Sequence, residues 1–169
     1  ASAVDTATVT YTNVLPAIDI QKTVDANGDG NLATGTGFHD MEFMVSDPGS
    51  VTYRYAITNT SSASTDPLTI TALRDDNGTA SIGDDFTPTQ VLNGSYNVGD
   101  IDTDGRFDPG ETWIYKSNSI SINEARHNVV SVTAKDDENN VVTDSDDAMV
   151  LSPGIVTNSS LCTFDTNSS

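Results

Sequence analysis

The sequence predicts an all-β protein built as an antiparallel sandwich, and three observations support this fold class. Short runs in which apolar and polar residues alternate recur along the chain, as expected for strands with one buried face. Clusters of Asp, Asn, Gly and Pro separate these runs and favour turns. No stretch keeps apolar residues at helical spacing, and many short strands between turns are typical of a sandwich.

The alternating runs give the expected strands in chain order. They cover residues 6–11, 17–24, 51–58, 68–73, 112–120, 128–134 and 148–151. The clearest run, VTYRYAIT, places Val51, Tyr53, Tyr55 and Ile57 on one face. The two tyrosines, like Trp113 in a later run, are therefore expected in the core.

The chain divides into three parts: an orphan strand at 1–16, a sandwich at 17–151 and a polar linker or tail at 152–169. The stretch DTATV at 5–9 is similar to DDAMV at 146–150, as if it were the closing strand of a preceding domain. Chance similarity between two short stretches is the alternative. Because unpaired strand groups are costly, we expect the orphan strand to pair with a neighbouring domain or subunit.

The charge of the chain limits its partners. It has 25 acidic and 7 basic residues, which gives a formal net charge of -18. Such a chain is repelled by nucleic-acid phosphates and by anionic membrane surfaces, and it attracts cations. A purely solubilising acidic surface is the alternative. Because no apolar run approaches the roughly 20 residues of a membrane-spanning helix, direct membrane insertion is not expected.

Composition favours a secreted or cell-surface location. The single cysteine, Cys162, cannot form an internal disulfide, and the chain is rich in Ser, Thr, Asn and Asp but poor in Lys. Asn-x-Ser/Thr triplets could carry glycans, although such triplets also arise by chance in a chain of this composition. They begin at Asn59, Asn77, Asn93, Asn158 and Asn167.

The segment DIDTDGRFDPGE, residues 100–111, fits the twelve-position EF-hand loop for calcium. Calcium binds about six to eight hard oxygens, and alternate residues of a tight loop can converge to supply them. Gly105 permits the sharp turn, and the carbonyl of Arg106 would provide a backbone ligand. The acidic ligands would be Asp100, Asp102, Asp104, Asp108 and Glu111. Since strands rather than helices flank it, this is an EF-hand-like loop within a sheet protein; an Asp-rich solvated turn is the alternative.

A second segment, DANGDGN at 25–31, is an incomplete loop of the same kind. Asp25, Asn27 and Asp29 occupy alternate positions, and the carbonyl of Asn31 would supply a further oxygen. Thr36 stands where the closing acid is needed, so another loop must provide it. The candidates for this acid are Asp75, Asp76, Asp84, Asp85, Asp136 and Asp137. An Asx/Gly turn without a metal is the alternative.

Lys22 and Asn128 lie on the apolar faces of their predicted strands. A buried lysine is costly unless it is paired or neutralised. One solution is an intramolecular isopeptide bond, in which neutral lysine attacks an asparagine amide beside a protonated carboxyl. Glu42 or Asp75 would be the assisting acid. The alternative is that Lys22 extends to solvent at its strand end while Asn128 caps a loop.

Several segments, taken in order, resemble one family. They are DPGSVTY at 47–53 with ITNT at 57–60 and LTI at 68–70, DPGETW at 108–113, NVVSVTA at 128–134 and VTDSDDA at 142–148. The set is similar to the conserved-repeat immunoglobulin-like domains (domain of unknown function eleven) of bacterial and archaeal surface proteins. The resemblance covers about residues 17–151 and implies a repeated stalk or fibre module. Members of this family often have Lys and Asn at the positions that match Lys22 and Asn128. Pro-Gly-Glu is a turn of this family with or without calcium, so Glu111 alone does not indicate a calcium site.

The predicted fold class is therefore all-β, an immunoglobulin-like antiparallel β-sandwich with an extra N-terminal strand. His39 and His127 are isolated and no nucleophile or phosphate-binding motif occurs, so an enzyme is not expected. The expected function is a structural, calcium-stabilised subunit or repeat module of an extracellular fibre or stalk. Its partners would be copies of itself or neighbouring repeats, joined by strand addition in trans. The alternative is an adhesin or carbohydrate-binding module, for which Tyr96 and Phe86 are the few candidate exposed aromatics.

Overall fold

A computed structural model describes residues 5–8, 13–63 and 66–153 of the chain. The described residues form strands and turns. The strands are β1 (Ile18–Asp25), β2 (Met41–Phe43), β3 (Gly49–Asn59), β4 (Thr69–Asp75), β5 (Thr89–Gln90), β6 (Leu92–Asn93), β7 (Tyr96–Asn97), β8 (Thr112–Lys116), β9 (Ile120–Ile122), β10 (Arg126–Lys135) and β11 (Val141–Leu151). The all-β prediction is confirmed.

Two sheets face each other. The first has the order β1-β3-β8-β5, with β9 also paired to β3, and the second has the order β2-β11-β10-β4. All pairings in these sheets are antiparallel except that of β2 with β11, and β6 and β7 form a separate hairpin. Alternation along β3 buries Val51, Tyr53, Tyr55 and Ile57, as predicted. These residues pack against the inner face of β10, including Val130 and Val132, to form the core.

On one side of the sandwich, carboxylates join the two sheets. The backbone N–H of Ile20 donates to Asp144 Oδ2 at 2.9 Å, and that of Lys22 donates to Asp146 Oδ2 at 2.7 Å. Both N–H groups lie on the edge of β1 that faces away from β3, so the two Asp side chains of β11 satisfy backbone donors that no strand pairs.

The two ends of the sandwich carry different loops. The N-terminal pole is defined by Ile18, Asn59 and the 100–111 segment, where Asn59 N–H donates to the Glu111 carbonyl at 3.0 Å. The C-terminal pole is defined by Asp25, His39 and Leu151, and Val24 and His39 form a bridge there. The described sandwich therefore begins at one pole and ends at the other.

Most predicted strands are confirmed, with shifted ends. The run at 112–120 is divided into β8 and β9, and the last strand begins at Val141 rather than at 148. Of the predicted strand at 6–11, residues 6–8 are exposed and outside any strand, and residues 9–11 lie outside the described part. Of the tail, only residues 152 and 153 are described. No helix among the described residues has the length and apolarity needed to cross a membrane.

Candidate functional site

The 100–111 segment is wound as a tight loop at the N-terminal pole. The N–H of Gly105 donates to Asp100 Oδ2 at 2.9 Å, and the N–H of Arg106 donates to Asp104 Oδ1 at 2.7 Å. Gly105 has a φ of 81°, in the left-handed region where glycine is favoured, which turns the chain at the sixth position of the loop. These bonds point the alternate carboxylates toward the interior of the loop.

Glu111 closes this loop from within the same segment. Its side chain is buried and accepts hydrogen bonds from the N–H of Ile101 at 2.7 Å, the N–H of Asp108 at 3.2 Å and Trp113 Nε1 at 3.0 Å. One carboxylate oxygen from each of Asp100, Asp102 and Glu111 lies within 4.8 Å of the others. A second group within that distance comprises Asp102, Asp104 and Asp108. The structure thus places the five predicted acids in two overlapping groups that share Asp102.

The residues of this loop fit a calcium ion. Asp100 Oδ1 is buried and has no hydrogen-bond partner among the described residues, which is costly for a carboxylate unless a cation takes that place. The side-chain donors are carboxylate oxygens, the ligands that calcium prefers, and neither histidine nor cysteine is among them. Such an ion would tie the loop to the start of β8 through Glu111.

The 25–31 loop repeats part of this hydrogen-bond pattern at the C-terminal pole. Gly30 N–H donates to Asp25 Oδ2 at 3.0 Å, as Gly105 does to Asp100, and Asp29 N–H donates to Asn27 Oδ1 at 2.9 Å. The Asn31 carbonyl, predicted as a backbone ligand, accepts from the N–H of Gly35 at 2.8 Å, and the Asn31 side-chain oxygen accepts from the N–H groups of residues 33 and 34. The arrangement of the first five positions therefore supports the predicted ligand geometry at Asp25, Asn27 and Asp29.

The closing acid of this second loop is Glu42 of β2, which differs from the expected set. Carboxylate oxygens of Asp25, Asp29 and Glu42 lie within 4.8 Å of one another, and Glu42 Oε2 also accepts from the N–H of Ala26 at 2.7 Å. Asp75, an expected closing acid, is instead bonded to Lys22. The sequence did not reveal Glu42 because β2 has only three residues and is placed by its pairing with β11.

Lys22, Asp75 and Asn128 meet in the core, and each is fully buried. Lys22 Nζ donates to Asp75 Oδ2 at 2.7 Å and to Asn128 Oδ1. Asp75 Oδ2 also accepts from the hydroxyl of Tyr55 at 2.6 Å. Of the two assisting acids considered from the sequence, Asp75 occupies this position, whereas Glu42 belongs to the 25–31 loop. Lys22 does not extend to solvent, and Asn128 does not cap a loop.

Burial controls the protonation of this cluster. Desolvation lowers the pKa of Lys22 below its usual value, and the nearby charge of Asp75 only partly opposes the shift. Lys22 Nζ lies 4.7 Å from the ring centroid of Tyr53 and 5.6 Å from that of Tyr55. Burial raises the pKa of Tyr53 to about 12 and that of Tyr55 further, so both phenols stay neutral. The lysine is thus enclosed by groups that exclude water.

Asn128 presents its amide to the lysine. Its Oδ1 accepts from Lys22 Nζ, while its Nδ2 is buried and has no hydrogen-bond partner among the described residues. An unpaired buried amide nitrogen is costly, and its loss as ammonia would remove that cost. The arrangement of amine, carboxyl and amide can therefore support amide exchange.

The sequons differ in accessibility. Asn59 is fully buried, and its Nδ2 donates to the carbonyls of Asp66 at 3.2 Å and Phe107 at 2.8 Å, so a glycan on Asn59 is incompatible with this fold. Asn77 is partly buried in a turn, with its Nδ2 3.3 Å from Asp84 Oδ2. Asn93 is exposed in the hairpin of β6 and β7. Asn158 and Asn167 lie outside the described residues.

Within the described residues, the aromatic side chains do not form one exposed platform. Tyr53 and Tyr55 are buried, and Trp113 and Phe86 are partly buried. Tyr96 is exposed and lies near Gly105 at the N-terminal pole. Phe43 also has an exposed ring. It lies at the C-terminal pole, where the backbone of Phe43 pairs with that of Leu151.

Comparison with known proteins gives little information on identity. No protein-family profile matches the chain, and no curated protein matches it. Among solved structures, the chain is similar to one described as the ApaA protein from Bordetella pertussis, with 13% sequence identity and a TM-score of 0.45. That match covers 83% of this chain and 98% of the other.

Proposed function

We propose that this chain is a structural module of an extracellular fibre or stalk, stabilised by calcium and cross-linked internally between Lys22 and Asn128. The buried cluster of Lys22, Asp75 and Asn128 carries the proposal. The cluster joins β1, the first strand, to β10 of the other sheet, and β10 pairs with the last strand, β11. A covalent bond there would prevent residues 22–128 from extending when the chain is pulled at its ends.

The cross-linking chemistry can be balanced with the groups present. Asp75 takes a proton from the Lys22 ammonium, and the neutral amine attacks Cγ of Asn128 to form a carbon–nitrogen bond. The Cγ–Nδ2 bond then breaks, and the amide nitrogen leaves as ammonia after receiving one proton from the attacking nitrogen, which keeps its other hydrogen in the new amide. Asp75 holds the remaining proton until the ammonia accepts it and leaves as ammonium. The lowered pKa of Lys22 favours the first step.

A cross-link at this position would stabilise the module strongly. It would close a loop of roughly 100 residues, which in the chain-entropy treatment of disulfides corresponds to about 4–5 kcal/mol. The chain has one cysteine and so cannot form an internal disulfide. The isopeptide bond would therefore have the stabilising role that disulfides have in other secreted domains.

Calcium has a second role in this proposal, which is to reduce charge repulsion between modules. Each chain has a formal net charge of -18, and the two acidic loops lie at opposite poles of the sandwich. Where modules follow one another, the 25–31 loop of one would face the 100–111 loop of the next. Bound ions at both loops would reduce the repulsion across the junction.

Strand addition in trans is supported by an unpaired edge. Within the described residues, β4 pairs with β10 on one side, while its other edge has only isolated bridges at Leu68 and Asp75. A groove runs beside this edge and is lined in part by Ile70, Leu73 and Tyr115. Residues 1–16 of a neighbouring chain, with alternating side chains at 6–11, could pair there.

The test of the cross-link is the intact mass of the purified chain. We expect a deficit of one ammonia molecule, and tandem mass spectrometry should find the 22–128 branched peptide. The variant Asp75→Asn should have its full mass. Lys135 and Asn139 are a matched control within the chain, because Lys135 Nζ lies 3.1 Å from Asn139 Oδ1 in an exposed turn outside the core, and they should stay unlinked. A full mass for the unmodified chain would refute the cross-link.

Assembly is tested separately by sedimentation velocity in excess calcium and in excess chelator. The full chain should form large species in calcium only. A chain lacking residues 1–14 should remain a folded monomer in both conditions, since the proposed donor strand is gone. If the shortened chain assembled as well as the full one, strand addition by this segment would be excluded.

A further inference from the structure

A third group of carboxylates lies at the N-terminal pole, outside both EF-hand-like loops. Asp66 stands in the connection between β3 and β4, and Asp136 and Glu138 stand in the turn between β10 and β11. One oxygen of each lies within 4.8 Å of the others. The pairing of β4 with β10 brings residue 66 close to this turn. The two segments are far apart in the sequence, so no local spacing predicts that they meet.

Asp66 is the unusual member of this group. Asp66 is 4% exposed, and neither of its carboxylate oxygens has a hydrogen-bond partner among the described residues. A buried carboxylate normally accepts several hydrogen bonds or is paired with a cation, because removing it from water is expensive. The carboxylate of Asp66 faces two other acids instead.

Asp136 is buried as well, but it is held by the turn that contains it. Its Oδ1 accepts from the N–H of Asn140 at 2.7 Å, and its Oδ2 accepts from Asn140 Nδ2 at 2.7 Å. These bonds fix the carboxylate beside Asp66 and leave each oxygen with a further lone pair. Within the described residues, no Lys or Arg forms an ion pair with Asp66, Asp136 or Glu138.

The electrostatics of the group agree with a missing counter-charge. Burial raises the pKa of Asp66 above its usual range, and the charges of Asp136 and Asp137 raise it further. Ser61 opposes this rise in the pKa, but no cationic side chain pairs with Asp66 within the described residues, so a bound cation would supply the missing counter-charge.

We infer that Asp66, Asp136 and Glu138 form a third calcium site. The group supplies three carboxylates and no nitrogen or sulfur ligand, a set that suits a hard divalent cation. Calcium rather than magnesium is expected because its coordination is flexible, and two protein segments must supply its ligands together. This site stands apart from the proposed cross-link and from assembly in trans, and it shares with the proposed function only the choice of ion.

The position of the site suggests what the ion stabilises. The connection that contains Asp66 also holds the start of the sandwich, since Thr60 N–H donates to the Ala17 carbonyl at 3.0 Å and Ala17 N–H donates to Ser61 Oγ at 3.1 Å. An ion between Asp66 and Asp136 would tie this connection to the β10–β11 turn. The direction in which the chain enters the sandwich would then depend on calcium.

The experiment is native mass spectrometry of the full chain, stripped with chelator and titrated with calcium alone. The variant Asp66→Asn should bind one ion fewer than the unmodified chain at saturation. The control Asp137→Asn removes the same charge from an exposed neighbour in the same turn and should keep the full number. Because Asp66→Asn could impair folding, Glu138→Gln provides a second variant on an exposed residue, and it should weaken or abolish the same binding step. An unchanged count in both Asp66→Asn and Glu138→Gln would overturn the inference.

A second readout separates this site from the 100–111 loop. Trp113 donates to Glu111, so terbium bound in that loop should show luminescence sensitised by tryptophan. Asp66→Asn should lose one calcium ion while this luminescence remains. Loss of the luminescence in Asp66→Asn would mean that the variant had disturbed the loop, and the ion count of Glu138→Gln would then decide whether the third site exists. If the unmodified chain bound no terbium at Trp113, the calcium loop of the proposed function would fail while the ion count still tested Asp66.

Discussion

The two EF-hand-like loops share the hydrogen bonds donated by their fifth and sixth residues but obtain their closing acids in different ways. In both, the glycine at the sixth position donates to the first aspartate, at 3.0 Å in the 25–31 loop and 2.9 Å in the 100–111 loop. Glu111 closes its loop from the twelfth position of the same segment. Glu42 closes the other loop from β2, a strand placed by its pairing with β11.

The two loops therefore differ in whether their ligands come from one local segment or from segments that only the tertiary fold brings together. The 100–111 loop has its ligands within one short segment, so its affinity should depend mainly on that segment. The 25–31 loop gains its last carboxylate only when β1 and β2 are both in place at the C-terminal pole. Binding there should therefore be coupled to the folding of the whole sandwich.

The largest expected effect is from removing each closing acid. Glu111→Gln and Glu42→Gln should each weaken one calcium-binding step by more than about 100-fold, beyond the loss typical of an outer-shell partner. Glu111→Gln should also abolish terbium luminescence sensitised by Trp113, whereas Glu42→Gln should leave it unchanged. Calcium titration by calorimetry measures both affinities, and equal loss of the terbium signal in the two variants would contradict the assignment of separate loops.

A smaller effect is expected from the two sixth-position glycines, which are required for different reasons. A Cβ at position 30 would lie 2.5 Å from Phe38 Cε2 and 2.6 Å from Asp25 Oδ2, so Gly30→Ala should cost about 1–3 kcal/mol through overpacking. A Cβ at position 105 would meet only Tyr96 Cε1 at 3.9 Å, but φ is 81°, so Gly105→Ala should cost about 1 kcal/mol.

Chemical denaturation in excess chelator measures both costs without contributions from calcium. Gly110→Ala is a suitable reference, because its φ is 91° and a Cβ would meet nothing within 4 Å. If Gly105→Ala were more costly than Gly30→Ala, the steric explanation for position 30 would be wrong.

The smallest expected effect concerns the seventh position, where a backbone carbonyl is the predicted ligand. Arg106→Ala should change calcium affinity by less than about 3-fold, because its exposed side chain is not needed for a carbonyl to bind. Asn31→Ala should weaken the other site more, since the Asn31 side chain accepts from the N–H groups of Ala33 and Thr34. Calorimetric titration of both variants checks this order. A large loss in Arg106→Ala would mean that the side chain takes part.

The sequence was informative where a feature is local. Alternation predicted β1, β3 and β10, because each strand has one face in the core and one toward solvent. The spacing of Asp100 to Glu111 gave all the acids that the structure brings together in that loop. Strand parity also placed Lys22 and Asn128 in the core, because the apolar neighbours of each residue define its face.

Contacts between distant segments could not be read from the sequence. Glu42 lies on a strand of three residues whose pattern is too short to recognise, and Asp66 meets Asp136 only through the pairing of β4 with β10. Asn59 begins a sequon, yet it lies at the buried end of β3, where its side chain donates to two carbonyls. In each case the tertiary fold, rather than the local pattern, decides what the side chain does.

The carboxylates of Asp144 and Asp146 have a consequence for aggregation. An exposed strand edge can template the growth of unwanted intermolecular sheets. Here an invading chain would have to displace two acidic acceptors from the N–H groups of Ile20 and Lys22 before it could pair with β1. The β1 edge of the sandwich is thereby protected against indiscriminate pairing with other chains. In a fibre of the proposed kind, β1 would therefore not serve as a branch point.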